Sequence, residues 1–143
     1  MTSLKSPLKV SVEFPIMSYE TDYQGFVNNT EFIRFLEKVR YAMSKKIGFS
    51  YQQSRASKLW TVMAHVEINY RSPAYFEDIM IGTGWVSKVG NTSLRIFYEF
   101  RLKGTGRLVA DAEQVMVFVD QKLKPQPVPP VVRRKLSRGT SKP

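Results

Sequence analysis

Hydrophobic and polar positions change period four times along this chain. From Lys9 to Ile16 they alternate: Val10, Val12, Phe14 and Ile16 fall on one side, Lys9, Ser11 and Glu13 on the other. Period two predicts a half-buried strand, and Pro15 puts its end near a sheet edge. After a polar loop, Phe32, Phe35, Leu36, Val39, Met43 and Ile47 recur at helical spacing, which predicts one long amphipathic helix of about 18 residues. Asn28 and Glu31 have the spacing of a capping box at its start. Lys45 and Lys46 suit the carbonyl end of its dipole, and Gly48 can close it. Phe49 to Lys58 is polar without a period and reads as a connection.

Alternation then returns. Leu59 to Tyr70 reads as a strand with Trp60, Val62, Ala64, Val66, Ile68 and Tyr70 on one face and His65, Glu67 and Asn69 on the other. Arg71-Ser72-Pro73 ends it. Ile79 to Val89 is a further strand, in which Gly82 and Gly84 leave a smooth patch for close approach of a backbone or ligand. Gly90-Asn91 and Lys103-Gly104-Thr105-Gly106 read as hairpin turns around Thr92 to Leu102. Leu108 to Val119 is the last strand, and its end is apolar on both faces, as in a strand covered on both sides. Beyond Asp120, Pro125, Pro127, Pro129 and Pro130 break regular pairing. Strand, helix, then hairpin-linked strands predict an α+β domain, an antiparallel sheet with one helix lying across it. Phe97 and the Val115–Val119 run, on the face away from that helix, predict cover from a second subunit.

Composition narrows the function classes. With 143 residues, 43% of them hydrophobic, the chain is long enough for one real core. The absence of cysteine excludes a disulfide framework, a thiolate nucleophile and a cysteine-based zinc site. A single histidine, His65, makes a metal site unexpected. No run of about 18 apolar residues spans a membrane, and the N-terminus lacks a signal-peptide core, so a cytoplasmic protein is the expectation. The net charge of +10 is concentrated: residues 121–143 hold seven Lys or Arg and no acid, leaving +3 for residues 1–120. Such an end is either a solvated tail or an attractor of acidic partners. Nucleic acid is disfavoured, because neither interleaved aromatics nor a recognition-helix motif accompanies the charge.

The chemistry-bearing stretch is Ser18 to Asn29, which holds Asp22, Gly25 and two consecutive amides directly ahead of the helix. A helix N-terminus offers unpaired N–H groups that can polarise a carbonyl oxygen. Asp22 has a bland reading as a turn acid, and Asn28 and Asn29 one as capping residues. An acid beside a polarised carbonyl also makes a hydrolytic site.

Several segments in order, Tyr19-Glu20-Thr21-Asp22-Tyr23-Gln24-Gly25, Val27-Asn28-Asn29, Arg34 to Arg40, Val66 to Ala74, Leu108-Val109-Ala110 and Val117 to Asp120, resemble the hotdog-fold acyl-CoA thioesterases of the 4-hydroxybenzoyl-CoA thioesterase-like branch. The likeness covers about residues 8–136. It implies a hotdog fold, a five-stranded antiparallel sheet wrapped around one long central helix, as a single domain over 1–136 with a basic, flexible tail at 137–143. It further implies a homodimer, or a tetramer of such dimers, with active sites at the subunit boundary. Asp22 would attack a thioester carbonyl or activate water. Gly25, Phe26, Val27, Asn28 and Asn29 would position substrate and oxyanion, and Tyr19, Tyr23 and Phe32 would line the acyl pocket. Many relatives carry His where this chain has Phe26, which removes any assistance from that side chain. Arg71, Lys88, Arg95, Arg133 and Arg134 are the candidates for the coenzyme A phosphates. The substrate would be an acyl-CoA or aroyl-CoA, with no metal and no cofactor beyond the coenzyme A it carries. The alternatives are hydrolysis of acyl groups on an acidic acyl carrier protein, docked by the basic tail, and a non-catalytic acyl-CoA sensor.

Overall fold

The structure, a computed structural model, describes residues 2–3 and 7–141, with side chains described for 7–137. In order its elements are β1 (Thr2–Ser3), β2 (Lys9–Pro15), a 3-10 turn (Ser18–Glu20), α1 (Glu31–Lys46), α2 (Tyr51–Ser57), β3 (Trp60–Tyr70), β4 (Ile79–Val89), β5 (Ser93–Leu102), β6 (Leu108–Val119) and α3 (Pro130–Ser141). The sheet runs β4-β5-β6-β3, all antiparallel, with β1 and β2 both paired to β4. Among the described residues β3 is therefore a free edge.

The period-two faces meet the period-3.6 face in one core. Phe32, Phe35, Leu36, Val39 and Met43 of α1 are buried against Leu94, Ile96, Tyr98 and Phe100 of β5 and Met80 of β4. Phe35 stacks its ring 4.9 Å from Phe14 of β2. Gly82 and Gly84 mark the closest approach of helix to sheet. A Cβ at either would lie 2.8 Å from Val39, well inside contact distance. The smooth patch expected from these glycines is the seat of α1. The sheet thus wraps one central helix in the hotdog arrangement.

Four local expectations are corrected. Asn28 and Glu31 form no capping box: Asn28 Oδ1 accepts from the N–H and hydroxyl of Thr30, and Glu31 is already the first helical residue, paired with Arg34 at 3.9 Å. Residues 51–57 are helical, not a connection. Ser50 and Gln53 supply the reciprocal box that starts α2, an S-x-x-Q signature present in the sequence. In β3 a bulge between Met63 and His65 reverses the facing halfway. Val66, Ile68 and Tyr70 pair with the core-facing Gln114, Ala112 and Ala110, whereas Trp60 and Val62 join His65, Glu67 and Asn69 on the outer face. Finally, the basic C-terminal stretch is folded at least as far as its described helix. Pro130 opens α3, as proline suits a first helical position, and Val128, Val132 and Leu136 are buried at fourfold spacing. α3 runs to Ser141, across residue 136 where the sequence placed the end of the domain.

Candidate active site

The loop from Thr21 to Thr30 is held from both sides. Thr21 and Val27 form a bridge, Asp22 N–H donates to Phe26 O at 2.7 Å, and Gly25 N–H returns to Asp22 O at 3.0 Å. Gly25 takes φ of +86°, which a side chain would strain. Asp22 Oδ1 accepts from Gln24 N–H at 2.8 Å and Phe26 N–H at 3.2 Å. Those bonds orient the carboxylate through one oxygen and leave Oδ2 without a partner among the described residues. Buried Glu20 anchors the loop's base, a role its sequence context did not single out: its carboxylate accepts from Met17 N–H and its carbonyl from Asn28 N–H, both at 2.8 Å.

Beside Asp22 lies a cavity of about 330 Å³, lined by Phe26, Val27, Asn29, Phe32, Tyr70, Arg71, Ser72, Pro73 and Ala74. An accounting of loop N–H groups is informative here. Val27 N–H is spent on Ala74 O and Asn28 N–H on Glu20 O, Thr30 N–H goes to Asn28 Oδ1, and the amides of Gly25 and Phe26 bond to Asp22. Asn29 N–H has no partner among the described residues. Its direction follows from geometry. Asn28 C=O, in the same trans peptide, accepts from Glu31 N–H at 2.9 Å and so points into the helix, which turns Asn29 N–H outward from the helix start. Tyr70 O–H donates to Asn29 O at 3.1 Å and holds the following peptide. Phe32 and Tyr70 meet edge to face at 5.4 Å, and Phe26 packs against Tyr75 at 5.3 Å, so the apolar wall is aromatic.

The structure brings together Asp22, Phe26, Val27, Asn29, Phe32 and Arg71. Tyr19 and Tyr23 do not line the cavity; they are 77% and 96% exposed in the single chain. Of the five cations considered for phosphate contact, Arg71 alone lines it. Its Nε lies 2.8 Å from Asp111 Oδ2, and Asn69 donates to the same carboxylate at 2.9 Å. The hydrogen bond from Arg71 is the main cause that holds the Asp111 carboxyl below the usual carboxylate range. Arg95 pairs with Glu113 on the outer face, Arg133 donates to Gly90 O at 2.9 Å, and Lys88 lies exposed on β4 and Arg134 on α3. Tyr70 and Ser72 were missed as wall residues, although the run Tyr70-Arg71-Ser72-Pro73-Ala74 that ends β3 is the signal that holds them. Among the described residues no group of three potential metal ligands gathers, and no helix is long and apolar enough to cross a membrane.

A helix seated in a curled antiparallel sheet is the hotdog fold of the acyl-CoA thioesterases. The chain belongs to the thioesterase-like superfamily, whose family model matches residues 17–136. It is 27% identical over 113 residues to the long-chain acyl-CoA thioesterase FadM of Escherichia coli K12, covering 79% of this chain and 85% of that protein. To the acyl-CoA thioester hydrolase YbgC of Escherichia coli O6:H1 it is 28% identical over 119 residues, covering 81% and 88%. The crystal structure of Slr0204, a 1,4-dihydroxy-2-naphthoyl-CoA thioesterase from Synechocystis, superposes with a TM-score of 0.82 at 17% identity, over 90% of this chain and 96% of that one, and so shares the fold.

Proposed function

We propose that the protein hydrolyses acyl-CoA or aroyl-CoA thioesters to the free acid and coenzyme A, with Asp22 as nucleophile or general base. The observation that carries this reading is the pairing of the free Asp22 oxygen with Asn29 N–H, the loop amide that borders the cavity and has no protein partner. The thioester carbonyl oxygen accepts from Asn29 N–H, with the positive end of the α1 dipole behind it. As the carbonyl carbon becomes tetrahedral, charge develops on that oxygen, where the donor already stands. The attacking oxygen is either Asp22 Oδ2, which gives a mixed anhydride that water then hydrolyses to the free acid, or a water whose proton passes to Asp22 and on to the sulfur; in both routes the C–S bond breaks and coenzyme A leaves as the thiolate, protonated from Asp22 or from solvent. A thioester is already activated, so a carboxylate and an oxyanion donor suffice, and the coenzyme A of the substrate is the only cofactor involved. Arg71, on the cavity wall, meets the phosphates of the incoming carrier.

The working unit in this reading is a homodimer joined along β3. That strand is an 11-residue free edge, and Trp60, Val62, Val66 and Tyr70 on it are 39–52% exposed in the single chain. Exposed apolar edges of that length are otherwise blunted by charge or proline. A twofold antiparallel pairing satisfies the edge and covers Ile33 and Tyr41 on the flank of α1. Mass measured by light scattering should give twice the chain mass, and Val66→Lys, close to the twofold axis, should shift it to monomer.

The test of the chemistry is steady-state hydrolysis over a panel of acyl- and aroyl-CoAs. Asp22→Asn and Asp22→Ala should lower kcat by about 10²-fold to 10⁴-fold with the fold intact. Turnover within about twofold of wild type removes Asp22 from the mechanism and leaves the acyl-CoA sensor reading.

Hydrolysis on a carrier protein is a second reading, favoured by one surface. Exposed Arg134 and Lys135 of α3 lie over the basic end of α1, where the Lys135 chain comes within 3.3 Å of a Cβ placed on Gly48, next to Lys45 and Lys46. Removing residues 121–143 would strip the core of Val128, Val132 and Leu136, so the clean test is charge reversal at Arg134 and Lys135. A selective loss of kcat/KM on acyl carrier protein, with acyl-CoA turnover kept, supports this reading; equal turnover on both carriers sinks it.

A further inference from the structure

The first turn of α1 is fixed without the usual cap. Thr30 stands at the N-cap position but makes no side-chain cap bond; its hydroxyl donates backwards to Asn28 Oδ1 at 3.0 Å. Something else must hold the backbone at Asn29, the residue whose N–H has no partner among the described residues.

Two rigid peptide planes meet at the Asn29 Cα. The plane before it carries Asn28 C=O, which accepts from Glu31 N–H at 2.9 Å. That bond is local and belongs to the opening of the helix. The plane after it carries Asn29 C=O and Thr30 N–H. Thr30 N–H goes to the Asn28 side chain at 3.1 Å, and Asn29 C=O accepts from Phe32 N–H only at 3.4 Å. The bond that ties this plane to the sheet is the one from Tyr70 O–H to Asn29 O at 3.1 Å, donated from β3 across 41 residues of chain. With one carbonyl held on each side of the Cα, neither φ nor ψ of Asn29 is free, and its N–H keeps one direction.

Tyr70 is built to hold still. Its ring meets Phe32 edge to face at 5.4 Å, and Phe32, itself buried, packs against Phe35 at 5.2 Å and Phe100 at 6.0 Å. Its backbone lies in the antiparallel ladder opposite Ala110 of β6. The chain that follows grips the other end of the same loop: Ala74 O accepts Val27 N–H at 2.8 Å, and Tyr75 bridges to Phe26. A donor aimed by groups that cannot move is preorganised for the charge it will meet.

Tyr70 also lines the cavity beside Asp22. A phenol has one proton to donate, and Tyr70 spends it on Asn29 O. It therefore aims another donor and does not itself donate to a carbonyl in the cavity.

We propose that Tyr70 is the positioning residue of the oxyanion donor: by holding Asn29 C=O from β3, its hydroxyl fixes the direction in which Asn29 N–H meets the thioester oxygen. This inference rests on the Asp22 hydrolytic reading above and deepens it by naming the group that sets its donor. Charge grows on the carbonyl oxygen only as the transition state forms, so a misaimed donor shows in kcat and hardly in KM.

Tyr70→Phe removes the hydroxyl and keeps the ring on Phe32. With the fastest substrate of the acyl- and aroyl-CoA panel, kcat should fall about tenfold, the scale of one hydrogen bond, with KM within about twofold of wild type. A second readout sees the donor directly. Benzoyl-CoA labelled at its carbonyl carbon is bound to Asp22→Asn, which slows its turnover, and its C=O stretch is read by difference infrared spectroscopy. The hydrogen bond from Asn29 N–H should lower that stretch below the free thioester, and adding Tyr70→Phe should return it part of the way. Turnover within about twofold of wild type, a loss carried by KM, or a stretch left where Asp22→Asn puts it each overturns the proposal. A Tyr70 that only props the cavity wall gives one of those results. Should Tyr70→Phe fail to fold, replacing Tyr70 by a ring-fluorinated tyrosine decides, because its more acidic phenol keeps the shape and donates more strongly. The stretch should then move from its Asp22→Asn value, and no movement overturns the proposal. Full turnover by Asp22→Asn would instead strike the hydrolytic reading itself, so the two failures are distinct.

Discussion

Replacing Gly82 by alanine tests the contact that seats α1 and, through it, the start of the helix at the Asp22 loop. The added Cβ would lie 2.8 Å from Val39 Cγ2 and 2.9 Å from Phe100 Cε1. Ordinary carbon contacts are about 3.5–4.0 Å. Both neighbours are fully buried, one a stiff β-branched side chain and the other a ring packed against Phe32 and Phe35, so neither has room to retreat. Overpacking of this kind costs about 1–3 kcal/mol, and the lower entropy of an unfolded alanine returns about 0.5–1 kcal/mol. A net loss of about 1–2 kcal/mol follows, or roughly 3–6 °C in Tm for a chain of this size. At Gly84 one of the two 2.8 Å neighbours is Met43 Cε, the free end of a flexible chain, so Gly84→Ala should lose less. Thermal melts at one fixed protein concentration, needed because a dimer's Tm depends on it, give both values. A double-mutant cycle sharpens the test: Val39→Ala vacates the space the new methyl needs, so Gly82→Ala with Val39→Ala should cost about 1 kcal/mol less than the two single losses combined. Strict additivity, or a Gly82→Ala protein as stable as wild type, would refute the close approach as the reason for glycine here.

Leu136→Ala should cost about 2–4 kcal/mol in denaturant unfolding, because that side chain is 2% exposed in the core; a loss below about 0.5 kcal/mol would return α3 to the status of a solvated tail. Ser50→Ala should cost about 0.5–1 kcal/mol, since Ser50 accepts from Gln53 N–H only at 3.4 Å while the Gln53 half of the box, at 2.6 Å, survives. Asp111→Asn should lower stability near neutral pH by a small amount, the pair with Arg71 being open to solvent. The native carboxyl binds its proton more weakly than the unfolded one, so the benefit is complete above the usual carboxylate range near pH 4 and disappears as pH falls through the depressed native value. The gap between wild type and variant should therefore close in acid, and a gap that widens there reverses the sign of the argument.

Period told more about the fold than local chemistry did. The alternations in β2, β4, β5 and β6 and the helical recurrence from Phe32 to Ile47 describe surfaces buried by the bulk of the fold, so a window of sequence suffices. The misses share a different cause. A bulge at Ala64 leaves β3 alternating in sequence while its faces exchange in space, because alternation is counted by residue and facing by hydrogen-bonded register. α2 and α3 were hidden by polarity and by proline. Their signals were positional, a Ser–Gln box and a proline at a first turn, rather than periodic.

The site divides along the same line. Residues 18–48 place an acid ahead of a helix, and that much is local. Which N–H remains unpartnered is decided at a distance, since Val27 N–H is spent on Ala74 and the Asn29 carbonyl is held by Tyr70, both more than forty residues away. Seen in sequence, five consecutive residues from Gly25 to Asn29 are equivalent candidates; once tertiary bonds are assigned, four of their amides are occupied. The same reasoning separates the two polar clusters of the core. Glu20 is buried and spends its carboxylate and carbonyl on its own loop, so it builds the scaffold. Gln114, also buried, spends its Oε1 on Tyr98 O–H of β5 and on Arg40 of α1, and so ties the helix to the sheet across the core.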